Sequence, residues 1–254
     1  MSSDVVIDHI LFFGRTYEEV VSMFALSADE LASRRILDCN SGPDAFVGEA
    51  RRRGYDVTGV DPLYAEGIGE IVAAGKKDVA HFLERSHGQD ENVHLDMQDF
   101  ARKKLDALEQ FTEDFAAGQE AGHHVAGALP ELPFDDGSFD LVVSGHFLFV
   151  SAPPEFGGMI REQPLDFAFH QAAVRELLRV SREEVRLFPV TCVGSTTNLH
   201  PWAMANSPPK ATKSPLSTTV TIRATSPVPS PFPSANLRPN SLASEATANK
   251  SIPL

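Results

Sequence analysis

Two rhythms of apolar residues alternate along the first 190 positions. The first is helical. Val20, Val21, Phe24 and Leu26 recur at the spacing of one helix face. Thr16 with Glu19, and Ser27 with Glu30, each fit the S/T-x-x-E capping box, so a second helix is expected over about 28–34. The rhythm then changes to that of a buried strand in Arg35-Ile36-Leu37-Asp38-Cys39. Asn40-Ser41-Gly42-Pro43 is a cluster of turn residues. Asp44 is the expected N-cap of a helix running to Arg53, with Gly54 as its stop. Tyr55 to Asp61 reads as a second strand, again ending in a carboxylate. A strand–helix–strand unit of about 27 residues predicts a parallel pair joined by a right-handed crossover.

The pattern continues in the same way. Helices are expected from Glu66 to about Arg85 and from about Met97 to Ala117. In the second of these, Phe100, Leu105, Leu108, Phe111 and Phe115 mark the apolar face. An extended loop, Leu129 to Phe134, and a turn, Asp135 to Ser138, lead into the strand Phe139 to Ser144. An amphipathic helix over Phe167 to Val180 and a strand over Glu184 to Pro189 follow. Strands alternating with helices predict an α/β fold with a doubly wound, mostly parallel, Rossmann-like sheet preceded by N-terminal helices.

In such a sheet ligands bind outside the carboxyl ends of the strands, where the strand order reverses. Three loops are thereby selected: 38–44, 61–64 and 144–151. Gly42 offers bare backbone, and the N-terminus of the helix that follows offers free N–H groups. Asp61 carries two acceptor oxygens suited to a pair of ribose hydroxyls, or alternatively to capping the next turn. Asp38 and Asp44 have the same two readings, ligand contact or turn and cap.

Composition changes the picture at one place. The formal charge is −13, yet every acidic residue except Glu245 lies before residue 191. More than half of the 18 prolines lie after it. Proline at that density prevents long helices and central strands, and few large apolar groups remain to offset the ordering entropy. Residues 191–254 are therefore expected to be a disordered Pro/Ser/Thr-rich tail, with only Ser217 to Thr225 strand-like in composition. The abrupt change fits either a natural interaction tail or an altered reading frame near residue 190.

The acidic balance argues against phosphate-neutralising contact with nucleic acid. No apolar run approaches the roughly 20 residues of a membrane span. Cys39 and Cys192 stand alone, outside any metal or redox spacing, which suits a cytoplasmic protein. His123-His124 lacks the companions a metal site needs.

Quoted together, the segments resemble a known family. ILDCNSGPDAF followed by GYDVTGVDPLY is similar to the first two motifs of class I S-adenosylmethionine-dependent methyltransferases. LPELPFDDGSFDLVVSGHFLF resembles the segment around their fourth strand, and HQAAVRELLRVSREEVRLFPV their next helix and fifth strand. The resemblance covers roughly residues 36–190, so the chain divides into an N-terminal helical segment (1–35), a methyltransferase-like domain (36–190) and the tail (191–254). It implies a pocket for S-adenosyl-L-methionine. Asp38, Asn40 and Gly42 would lie on its methionine side and Asp61 on the ribose. Pro62 and Leu129 would flank the adenine, and Ser144 to His146 would stand near the transferred methyl. Asn40 and Asp44 occupy places where the family usually has glycine, and Ala128 one where it often has an acid. The family's sheet normally ends in an antiparallel strand pair, for which the proline-rich tail is poor material.

The implied reaction is methyl transfer to a small-molecule acceptor. His146, just past the fourth strand, is the candidate general base, against a reading as a packed histidine bonded to a backbone carbonyl. Phe147, Phe149, Phe156, Phe167 and Phe169 line either an acceptor pocket or the core. Pro153-Pro154 and Gly157-Gly158 suggest a mobile loop at the pocket mouth. Two other classes stand beside this reading. One is a methyltransferase-like module without activity. The other is a nicotinamide-dependent enzyme, disfavoured because no G-x-G-x-x-G follows the first strand. The acceptor and the oligomeric state have no signature in the sequence.

Overall fold

In the computed structural model, residues 10–86, 97–154, 158–160, 165–190, 212–213 and 219–223 are described. The chain begins with α1 (Tyr17–Phe24) and α2 (Ala28–Ser33). Both capping boxes form: Thr16 and Ser27 accept from the N–H groups of Glu19 and Glu30, whose carboxylates reach back to the cap N–H groups. Next come β1 (Ile36–Cys39), α3 (Phe46–Arg52), β2 (Val57–Asp61), a 3₁₀ turn (Pro62–Ala65), α4 (Ile68–Ser86) and α5 (Met97–Glu120). The chain continues through β3 (His124–Ala126), β4 (Phe139–Gly145), α6 (Phe167–Val180) and β5 (Ser181–Phe188). β6 (Thr212–Lys213) and β7 (Val220–Arg223) follow.

The seven strands run in the order β3-β2-β1-β4-β5-β7-β6. The first five are parallel. β7 then lies antiparallel to β5 with Val185 opposite Ile222, and β6 antiparallel to β7. The sheet thus ends in the antiparallel pair that the resemblance implies, and its strands come from the segment expected to lack structure. The strand-like window Ser217 to Thr225 contains β7. The remaining expectations for the tail, and Cys192, fall outside the described residues.

Alternation along the central strands explains why they read as continuous apolar runs. Successive side chains point to opposite faces, and here both faces are covered. Leu37 and Val142 join Leu177, Val185 and Ile222 in one core beneath α6. Ile36, Leu141 and Val143 face the other way, onto Phe24, Leu31, Phe46 and Val57. Each such side chain contributes roughly 1.5–3 kcal/mol on full burial. A third cluster, around Tyr64, Ile71, Leu108, Phe111 and Phe115, seats α4 and α5.

Two local expectations need correction. Asp44 is not the N-cap of α3; that position is Ala45, with no side-chain cap bond. The Asp44 carboxylate instead accepts the Arg15 N–H at 2.7 Å and faces the Arg15 guanidinium at 3.7 Å. A long-range charged partner outcompetes a local capping bond. The second difference is β3, which the sequence reading did not anticipate. It has only three residues and exists through its pairing with β2.

Among the described residues no helix is long and apolar enough to cross a membrane.

Candidate functional site

Strand order reverses at β1, between β2 and β4, and a cavity of about 380 Å3 opens there at the carboxyl ends of the strands. All three loops selected from the sequence contribute to it. Asn40 to Pro43 follow β1, Asp61 to Leu63 end β2, and Gly145 to Phe147 end β4. Ala128 and Leu129, just beyond β3, and Phe169 of α6 complete its inner wall.

Gly42 holds the tightest point of the β1 loop. Its φ of +57° is the left-handed conformation that L side chains avoid. That geometry aims its N–H at Asp61 Oδ2, 3.1 Å away. The Leu63 N–H donates to Asp61 Oδ1 at 3.0 Å. Asp61 therefore does cap the 3₁₀ turn, and it also stands on the cavity wall. Each oxygen has one backbone donor and keeps further acceptor capacity. Burial raises the Asp61 pKa to about 6, against the pull of those two N–H donors. The Tyr64 hydroxyl donates to the Gly42 carbonyl, fixing the loop from the far side.

Asn40, Gly42, Asp61, Pro62, Leu129 and His146 all line the cavity. Asp38 and Ser144 are not among its lining residues. Asp38 lies beneath the β1 loop, where its Oδ2 accepts the Ser41 hydroxyl at 2.9 Å. It too is raised to about 6 by burial. Ser144 is buried in β4, and its hydroxyl has no hydrogen-bond partner among the described residues. Asp44 is also buried off the cavity, and desolvation pushes its pKa well above the carboxylate range. It therefore brings no carboxylate to the cavity wall.

His146 adopts a left-handed φ of 52° and donates its N–H to the Phe188 carbonyl at 2.7 Å. Its ring lies 5.0 Å from that of Phe188. The residue is exposed, and it borders two cavities. Partial enclosure, with the Arg15 and Lys104 cations nearby, holds its imidazole well below the usual pKa. Of the five phenylalanines, Phe147 and Phe169 line the first cavity. Phe149 is core and Phe167 sits on the surface. Phe156 and Gly157 lie outside the described residues. Among the described residues no group of three or more His, Cys, Asp or Glu side chains could hold a metal ion.

The sequence reading missed the outer wall. Ile10 to Phe13 and Arg15, from the stretch before α1, lie across the cavity. Gly14 permits this: a Cβ there would sit 2.2 Å from the Pro43 carbonyl oxygen. A glycine directly after an apolar run was the available signal. The same segment borders a second cavity of about 730 Å3, which shares His146 and Arg15 with the first.

No family model matches the chain. An uncharacterized protein of Methanocaldococcus jannaschii is 29% identical over 185 residues, which are 71% of this chain and 77% of that protein. Among solved structures, a SAM-dependent methyltransferase from Methanosarcina mazei is similar over 66% of this chain and 55% of its own, with 18% identity and a TM-score of 0.33. A protein of Pyrococcus horikoshii is similar over 67% and 57%, with 16% identity and a TM-score of 0.34. The chain spans a little over half the length of these two solved structures. TM-scores of this size decide nothing about function, so the functional reading rests on the site itself.

Proposed function

We propose that the first cavity binds S-adenosyl-L-methionine and that the protein transfers its methyl group to a small-molecule acceptor. The observation that carries this is Asp61. It is a buried carboxylate at the end of β2, each oxygen held by one backbone N–H, on the wall of a cavity at the strand-order reversal. This is a preformed acceptor for two vicinal hydroxyls. A volume of about 380 Å3 lies within the usual range of ligand pockets, roughly 300–1,000 Å3.

The remaining lining residues fit the same ligand. Pro62, Leu63 and Leu129 offer apolar surface for a purine. Asn40 and the Gly42 turn lie on the β1 side, where a zwitterionic amino-acid end needs polar partners. Arg15 adds a cation on that wall for its carboxylate. The bound cofactor would supply an electrophilic methyl on sulfur. The protein's part is to orient it, exclude water and place the acceptor in line. Asp38 and Ser144 stand behind the cavity wall, Asp38 bracing the β1 loop through the Ser41 hydroxyl.

Titration calorimetry with S-adenosylhomocysteine tests the reading. Binding in the micromolar range is expected, weakened about tenfold to a hundredfold in Asp61→Ala, since hydrogen bonds to a charged group contribute about 1.5–3 kcal/mol. A folded protein that does not bind would leave the second reading, a methyltransferase-like module without activity, which Asn40 in place of the family's glycine favours.

A further inference from the structure

The second cavity is larger than the first and mostly apolar. Its walls include Phe13, Met23, Phe82, Phe100, Ile160 and Phe188. Phe13, Phe82 and Phe100 pack against one another with centroids 5.0–5.7 Å apart, presenting ring edges and faces in one cluster. Such a surface suits a flat aromatic molecule.

The cavity's charges are already matched. Lys104 Nζ lies 3.0 Å from both Glu19 oxygens. Arg15 faces Asp44 at 3.7 Å, and Glu18 faces Arg53 at 3.9 Å. Arg15, shared with the first cavity, faces the cofactor's carboxylate in the reading above, so no cation of the wall is left to select for a charged acceptor. Two polar side chains, Arg15 and His146, stand where the two cavities meet, and of these only the imidazole can accept a proton. His146 borders both, at the end of β4.

The geometry points to an uncharged phenol as the acceptor, seated in the second cavity with its hydroxyl on His146, which takes the proton as the oxygen is methylated. This rests on the first cavity holding S-adenosylmethionine. The oxygen's electron pair forms the new O–C bond, the S–CH3 bond breaks with its pair left on sulfur, and the proton ends on an imidazole nitrogen. A neutral imidazole is the form that can accept it, and desolvation, with Arg15 and Lys104 nearby, favours that form.

The test uses the full chain without cofactor. 2-Naphthol is titrated against naphthalene, its counterpart without the hydroxyl. 2-Naphthol should bind at least tenfold more tightly. His146→Leu should abolish the preference, and His146→Gln, which keeps an acceptor oxygen, should restore it. Val150→Trp, filling the second cavity alone, should lose 2-naphthol while still binding S-adenosylhomocysteine. Equal binding of the two probes, a preference that survives His146→Leu, or 2-naphthol binding that survives Val150→Trp would overturn the inference. Loss of S-adenosylhomocysteine binding in the unmodified protein would overturn the reading of the first cavity instead. In turnover, His146→Gln should lower kcat by about 10²–10⁴-fold with little change in KM, as expected for loss of a base.

Discussion

Asp61 carries opposite demands at a single residue. Ligand recognition needs the ionised carboxylate, whereas burial raises its pKa to about 6. A folded-state pKa above the unfolded value means the folded protein holds the proton more tightly. Asp61 therefore adds stability below its unfolded pKa, and this is lost as pH rises through about 6. Ligand affinity runs the other way. The rise in Tm caused by S-adenosylhomocysteine should be large at pH 7.5 and much smaller at pH 5, and a shift equal at both would count against an ionised Asp61. His124 is a second buried group, ringed by Tyr64, Phe111 and Phe115 at centroid distances of 5.3–5.6 Å. Desolvation lowers its pKa to about 4, so the unfolded chain takes up the proton first. Its contribution is intact above pH 6.5 and is lost as pH falls toward 4. Chemical denaturation of His124→Phe should show a stability gap over the parent that widens by about 3 kcal/mol across that window. A gap that stays constant would mean His124 is not buried neutral.

Elements differ in how openly the sequence declares them. α1 and α2 were legible because their signals are local: each capping box closes within four residues. β1, β2 and β4 were legible as apolar runs, and Asp61 and Gly42 stood out from their place at strand ends. β3 was not, because three residues carry no periodicity and its identity lies in its partner strand. Nor was Arg15, which meets Asp44 across 29 residues. The pairing of α1 and α2 with β5 is of the same long-range kind. Arg186 of β5 donates to the Phe24 carbonyl at 2.9 Å and to the carboxylates of Glu30 and Glu184. Removing one partner of a buried pair costs about 3–5 kcal/mol. Arg186→Met should lower stability by that amount in urea denaturation, and Arg186→Met with Glu184→Leu should recover part of it.

The whole molecule depends on its last described strand. Val220 and Ile222 are buried in the same core as Val185 and Leu187. Composition alone had marked residues 191–254 as poor material for a sheet, and for most of that length nothing in the described structure bears on it. β7 falls within Ser217 to Thr225, the one window of that length with strand-like composition. Four residues are enough for a strand when the neighbour supplies the register and the core. A chain ended before residue 212 would leave the β5 edge open beside exposed apolar side chains, which invites strand addition by another molecule. Such a truncation should raise light scattering and lower the soluble yield, whereas monodisperse behaviour would show β7 to be dispensable.

β7 also sets a schedule for synthesis. Its partner β5 ends at Phe188, and β7 ends at Arg223. At bacterial-to-eukaryotic elongation rates of about 5–20 residues per second, the ribosome needs roughly 2–7 s to deliver the missing strand. Throughout that interval the nascent sheet has a bare edge. A nascent-chain chaperone would have its reason to bind there, and a stall between those two codons would leave the polypeptide at its most adhesive.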